Sequence, residues 1–307
     1  VNRPQRPSSN VSNLLAAHGP LTGAELLEVA HLEVFPLWQT CQTDPGIVMQ
    51  CAGRRYLRLD EMVEGYARLS PSIRREFLTY TIVGLADQAE QMGTRCRELQ
   101  REFVRISQHK HEVARDAMHR IVASSPNSEQ LSAHFCFTIG GDVTYGMAHT
   151  VERPEPSTGK LVRGSDLDVI VVSDEEATAA EREALDERLY KEKWNLLVLP
   201  QFREEIDYVV KDIGKVLTQL QFDSFRHMVA CKILHESELL AGSETLFVRI
   251  KQLVDEFGIP GKLEELEKRA AQERETAEAQ LIRQPETGRK EVWEYLFFTR
   301  DEREDIW

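Results

Sequence analysis

Two aspartates one residue apart, in Gly164-Ser165-Asp166-Leu167-Asp168-Val169-Ile170-Val171-Val172, carry the strongest chemical signal in the chain. Side chains alternate along a strand, so Asp166 and Asp168 would share one face while Leu167 and Val169 take the other. Two carboxylates at one end of an apolar strand repel each other and are costly to desolvate unless a cation lies between them. A hard divalent ion with oxygen ligands, Mg2+ or Mn2+, meets that need and keeps positions open for water and phosphate. Asp207, in Glu205-Ile206-Asp207-Tyr208-Val209, repeats the pattern of an acid flanked by apolar residues and is the expected third metal carboxylate. Glu205, two residues away on the same face, is its rival. On neighbouring strands the three could hold two ions, one activating an attacking hydroxyl and the other neutralising a departing pyrophosphate.

Upstream, Gly140-Gly141 follows the apolar run Phe135-Cys136-Phe137-Thr138-Ile139. Glycine lets backbone N–H groups approach phosphate oxygens closely, so this pair is a candidate phosphate cradle, although most such pairs mark turns. Lys160 and Arg163 are candidates to meet a triphosphate, against the blander reading of solvated loop charges. Ser165 could support metal or phosphate, or serve only as a turn residue. The histidines show no metal spacing; His109 and His111, two apart on a helix, face differently. The five cysteines are scattered without C-x-x-C spacing and read as reduced thiols. Trp293, Tyr295, Phe297 and Phe298 read as packing residues more than as base-stacking ones.

Positioning these groups requires alternating strands and helices. Strands are expected over 135–139, 167–172 and 204–210, and a helix over 174–194 capped by Ser173 or Asp174. Helices are expected over 214–240, 244–257 and 261–282. The stretch 150–159, with Pro154, Pro156 and a Ser-Thr-Gly turn, reads as a protruding loop or hairpin inserted between glycine pair and aspartates. Earlier, Thr22 and Glu25 form a capping box, and a second helix covers Phe35, Leu37 and Trp38. Residues 47–50 and 56–59 then read as a hairpin with Arg54 and Arg55 in its turn. From 71 to 124 the pattern is helical: a first stripe of Phe77, Tyr80, Val83 and Leu85, then a long helix over 87–122. The expected organisation is 1–70, 71–128 as a helical linker, 129–213 as the core, and 214–307 as a helical domain.

The strand ending in Gly140-Gly141, the Asp166-Leu167-Asp168 strand and the distal Asp207 together resemble the DNA polymerase beta-like nucleotidyltransferase superfamily. The resemblance spans about eighty residues; helix, helix and hairpin over about forty N-terminal residues resemble a winged helix. It implies an α+β fold: a nucleotidyltransferase core, a small mixed sheet flanked by helices, with a winged-helix-like domain before it and helices after it. The implied activity is metal-dependent transfer of a nucleoside monophosphate from an NTP to an acceptor, with release of pyrophosphate. Asp166, Asp168 and Asp207 would hold the ions, and Gly140 and Gly141 the phosphates. The acceptor is left open between RNA, with tRNA included, protein and a small molecule; the N-terminal domain would carry any RNA or DNA contact. The alternative is a DNA-binding regulator or antitoxin-like protein whose inactive core senses nucleotide. One departure from the family pattern is the long gap between Gly141 and Asp166, which could displace the glycine pair.

At 307 residues the chain is long for one core. Its net charge of −13 disfavours indiscriminate nucleic-acid binding, although the first third carries its positive charge on arginine alone. No apolar run is long enough to span a bilayer and no secretory signal is visible, so the expected location is cytoplasmic and the expected partners exclude membrane. An oligomer is compatible with all of this.

Overall fold

The Thr22–Glu25 capping box forms as expected: the Thr22 side chain accepts from the Glu25 N–H at 3.1 Å, and the Thr22 N–H donates to Glu25 at 2.7 Å. It opens the second helix in a computed structural model that describes residues 7–155, 157–283 and 290–298. The chain is mixed α and β with small sheets. It divides into two compact units, Val1–Glu102 with Leu266–Trp307, and Phe103–Glu265. The cuts therefore fall inside two long helices, α5 (Ala89–Ala123) and α11 (Ile259–Arg283), and not at 70, 128 and 213.

In the first unit α1 (Pro7–His18), β1 (Leu21–Thr22), α2 (Gly23–Ala30) and α3 (Val34–Thr43) are followed by β2 (Ile47–Cys51), β3 (Tyr56–Leu59), β4 (Ala67–Ser70), α4 (Ile73–Tyr80) and β5 (Thr81–Leu85). The expected hairpin of 47–50 with 56–59 does not form. β2 pairs with β5, and β3 pairs with β4. β5 falls within the stretch expected to be helical and is instead the central strand of β1-β5-β2. Thr81, Ile82 and Val83 are three successive β-branched residues, all buried, and such side chains are stiff against a helical turn but pack well on a pleated surface. α3 buries Phe35, Leu37, Trp38 and Cys41 and has no basic residue. Phe297, at the end of α12 (Lys290–Phe297), packs edge-on to Phe35 and Trp38 with centroids 5.3 and 5.4 Å away. Phe297 and Phe298 are thus core residues, while the Trp293 side chain lies outside those described.

In the second unit α6 (Ser128–His134) leads into β6 (Phe135–Ile139). The hairpin β7 (Glu152–Pro154) and β8 (Leu161–Arg163) comes next, then β9 (Leu167–Ser173), α7 (Ala179–Val198) and β10 (Ile206–Asp212). α8 (Ile213–Gln219), α9 (Phe225–Glu236), β11 (Glu238–Gly242) and α10 (Glu244–Glu256) complete it. The sheet order is β10-β9-β6-β11, with β10 parallel to β9 and the other pairs antiparallel. Two expectations change. Residues 238–242 leave the helix expected over 214–240 and pair with β6, where Gly242, at φ +86°, lies so close to the Phe135 carbonyl that a Cβ would be 2.1 Å from its oxygen. The 174–194 helix starts later, capped by Thr178 and Glu181, because Ser173 still belongs to β9.

One face of this sheet, carrying Phe135, Phe137, Ile139, Leu167, Val169, Val171 and Ile206, is packed with Ala114, Ala117 and Met118 of α5 and Leu185, Leu189 and Leu196 of α7. Burying that face fixes strand register, because a one-residue slip would turn every apolar side chain outward. Among the described residues no helix is long and apolar enough to cross a membrane.

Candidate functional site

The register that buries Leu167 and Val169 turns Asp166 and Asp168 to the opposite face. β10 runs parallel to β9 with Asp207 opposite Asp168, so the two acids sit side by side on strands about 4.8 Å apart. Glu205 lies beside Asp166: its carbonyl accepts the Leu167 N–H at 2.9 Å. All four carboxylates the sequence singles out therefore belong to one end of one sheet face.

Their surroundings differ. Asp168 is half-buried, and its carboxyl is pushed up to about 7, first by desolvation and then by the neighbouring charges of Asp142, Asp207 and Glu236. Asp207 is exposed and meets Lys193 Nζ at 3.4 Å. Asp166 is in an ion pair with Arg153, which also reaches Glu205 at 3.0 Å. Among the described residues no three His, Cys, Asp or Glu side chains are grouped so as to hold an ion, and Arg153 and Lys193 engage Asp166 and Asp207. The chemistry still suits a hard cation. The donors are all carboxylate oxygens, and the positive charge of Arg153 already lies against both Asp166 Oδ1 and Glu205 Oε2.

The long insertion leaves Gly140 next to Asp168, whose carbonyl accepts its N–H. The Ser165 N–H donates to the His149 carbonyl at 3.2 Å, and the His149 N–H to Ser165 Oγ at 3.3 Å. Gly164, at φ +63°, lies so close to His149 that a Cβ would stand 1.9 Å from its carbonyl oxygen. The chain thus closes at a neck, and the residues between leave it as the β7–β8 hairpin, in line with the hairpin reading. Ser165 Oγ also donates to Asp142 at 2.8 Å, which gives this serine a positioning role.

Gly140 donates its N–H to the Asp168 carbonyl at 2.9 Å, so that donor is not open to phosphate as expected. The Gly141 N–H is bonded to Glu236 Oε1 at 3.0 Å, an anionic group in the position foreseen for phosphate. Glu236 also accepts from Tyr145 Oη at 2.6 Å and pairs with Lys232. Gly141 has a φ of +70°, and a Cβ there would be 2.0 Å from Asp168 Oδ2. Gly141→Ala is therefore expected to lower stability by about 2 kcal/mol or more in denaturant unfolding. Gly140→Ala, with φ −124° and Ile233 Cγ2 3.0 Å away, should stay within about 1 kcal/mol of the parent. Equal effects of the two changes would refute a glycine turn built around Asp168.

Lys160 lies with its Nζ 5.4 Å from the Trp194 ring centre, which gives it an aromatic partner. The Arg163 backbone is tied down on both sides, its N–H to Arg203 and its carbonyl to Lys110 Nζ at 2.7 Å. Sequence reasoning missed Asp142, Arg153, Glu236 and Lys110. Asp142 directly follows the glycine pair and could have been noticed; Arg153 lies in the insertion itself, and Lys110 and Glu236 come from helices far along the chain. No match to the chain is found among protein-family models, curated proteins or solved structures.

Proposed function

We propose that the protein transfers a nucleoside monophosphate from an NTP to an acceptor, at the corner formed by Asp166, Asp168 and Asp207. The observation that carries this reading is the parallel pairing of Asp207 with Asp168 on the face that also holds Asp166, beside Gly141. Asp166, Asp168 and Asp207 would hold Mg2+ or Mn2+, which when bound neutralises triphosphate charge and acidifies an attacking hydroxyl.

In the reaction the acceptor hydroxyl oxygen bonds the α-phosphorus, the bond to the bridging β-phosphate oxygen breaks, and pyrophosphate leaves. The hydroxyl proton goes to a carboxylate of the corner. Asp207, the exposed member, is the one an incoming acceptor reaches. Asp168, crowded by three acids, is the anchor for positive charge. A phosphate seated on the Gly141 N–H takes the place of the Glu236 carboxylate.

RNA is the preferred acceptor, on the winged-helix reading of the first unit, which α2, α3 and the β1-β5-β2 sheet support. α3 has no cation to offer a nucleic acid, and Arg55 is closed on Glu76 and Glu278, so that contact would involve other arginines of the unit. The test is incubation with each α-labelled NTP, Mg2+ or Mn2+, and total RNA or lysate. Label carried into a macromolecule supports the reading; absence of transfer and of pyrophosphate release with all four NTPs overturns it. Nucleotide binding without pyrophosphate release would instead favour a nucleotide sensor, a reading that the Arg153–Asp166 contact supports.

A further inference from the structure

Arg153, in β7, turns its side chain into the acidic corner and contacts two of its carboxylates. Its guanidinium pairs with Asp166, reaches Glu205 Oε2 at 3.0 Å, and donates from Nε to the Gly164 carbonyl at 3.1 Å. The Arg153 side chain is 17% exposed and that of Glu205 10%, so this is a partly dehydrated contact and not a surface pair. Burying Glu205 beside Asp166 requires a positive charge between them, and here the hairpin supplies it.

We propose that Arg153 is a built-in substitute for the divalent cation, so that metal binding and release of the hairpin from the sheet are one coupled event. The inference rests on the metal site of the proposed function. A guanidinium and a divalent ion cannot both occupy the space beside Asp166. An ion entering there displaces Arg153, which leaves the hairpin without its anchor on Asp166 and Glu205 and held at its base by the Ser165–His149 neck, the Arg163 backbone bonds and the Arg203–Glu152 pair. By linkage, whatever Arg153 contributes to the closed state is subtracted from metal affinity. Being planar and five-donor, Arg153 can bridge two carboxylates in a way a lysine cannot reproduce.

The test is Mn2+ binding to the full chain, read by calorimetry or by loss of the free-ion paramagnetic resonance signal. Arg153→Gln is expected to bind Mn2+ about tenfold more tightly than the parent. Arg153→Lys, which keeps the charge and loses the fork, is expected to fall between them and serves if the glutamine variant does not fold. In the parent, amides of 152–163 are expected to exchange faster with solvent once Mn2+ is present. Equal or weaker binding by both variants, with the parent still binding Mn2+, overturns the coupling and leaves the metal site standing. No Mn2+ binding by parent or variants overturns both.

Discussion

Changing Asp168 to asparagine is expected to reduce NMP transfer by at least about a thousandfold while leaving the metal-free protein as stable as the parent or more so. The two effects share one cause. Asp168 is held among Asp142, Asp207 and Glu236, and its own desolvation adds to their repulsion. In the absence of a cation, that charge opposes folding. An asparagine of the same shape removes it, and a rise in melting temperature of about 2–4 °C is expected. The same substitution removes the carboxylate with which an ion would be held, so activity collapses. Asp207→Asn separates the effects. That acid is exposed and paired with Lys193, so its loss should lower transfer without raising the melting temperature. Asp166→Ala is expected to abolish transfer as well. Turnover retained in both Asp166→Ala and Asp168→Asn would end the assignment of this corner as the catalytic centre.

The acids of this corner were legible in the sequence because they obey a local rule. A strand alternates, so Asp-x-Asp places both acids on one face, and an acid between apolar residues must lie at the edge of a buried face. That rule also gave Glu205 and Asp207 as alternatives, and the register makes both neighbours of the β9 pair. Glu236 was not legible, since it approaches Gly141 from a helix 95 residues later and no spacing ties the two together. Arg153 sits next to a proline in an insertion that read as a protrusion, yet its side chain turns back onto Asp166. In the first unit, the short strands 47–51 and 56–59 were visible but their partners were not. Pairing is decided by which strand is buried between two others, and β5 takes that place through Ile82 and Val83. The helical stripe assigned to Val83 and Leu85 failed for the same reason: four apolar positions at mixed spacing fit either period until tertiary burial selects one.

Lys110→Met is expected to destabilise the protein by about 3–5 kcal/mol in denaturant unfolding, the largest loss foreseen for any single change here. Lys110 is the first lysine of the chain and is only 1% exposed. Its ammonium donates to the carbonyls of Arg163 at 2.7 Å and Ser165 at 2.8 Å, and pairs with Glu204, itself 4% exposed. Burial pushes the lysine down and the glutamate up, and the charge of each partner opposes the shift of the other. Methionine fills the volume but leaves Glu204 as a buried anion without its cation and two carbonyls without their donor. The double variant Lys110→Met with Glu204→Leu should regain most of the loss, because an apolar pair of similar volume replaces the ion pair. Function need not follow stability. Ser165 and Glu204 immediately precede Asp166 and Glu205, so the ammonium fixes the backbone from which both carboxylates project. The double variant is therefore expected to fold but to bind Mn2+ more weakly than the parent. If Lys110→Met unfolds within about 1 kcal/mol of the parent, or if the double variant binds Mn2+ as the parent does, this buried ammonium does not set the geometry of the acidic corner.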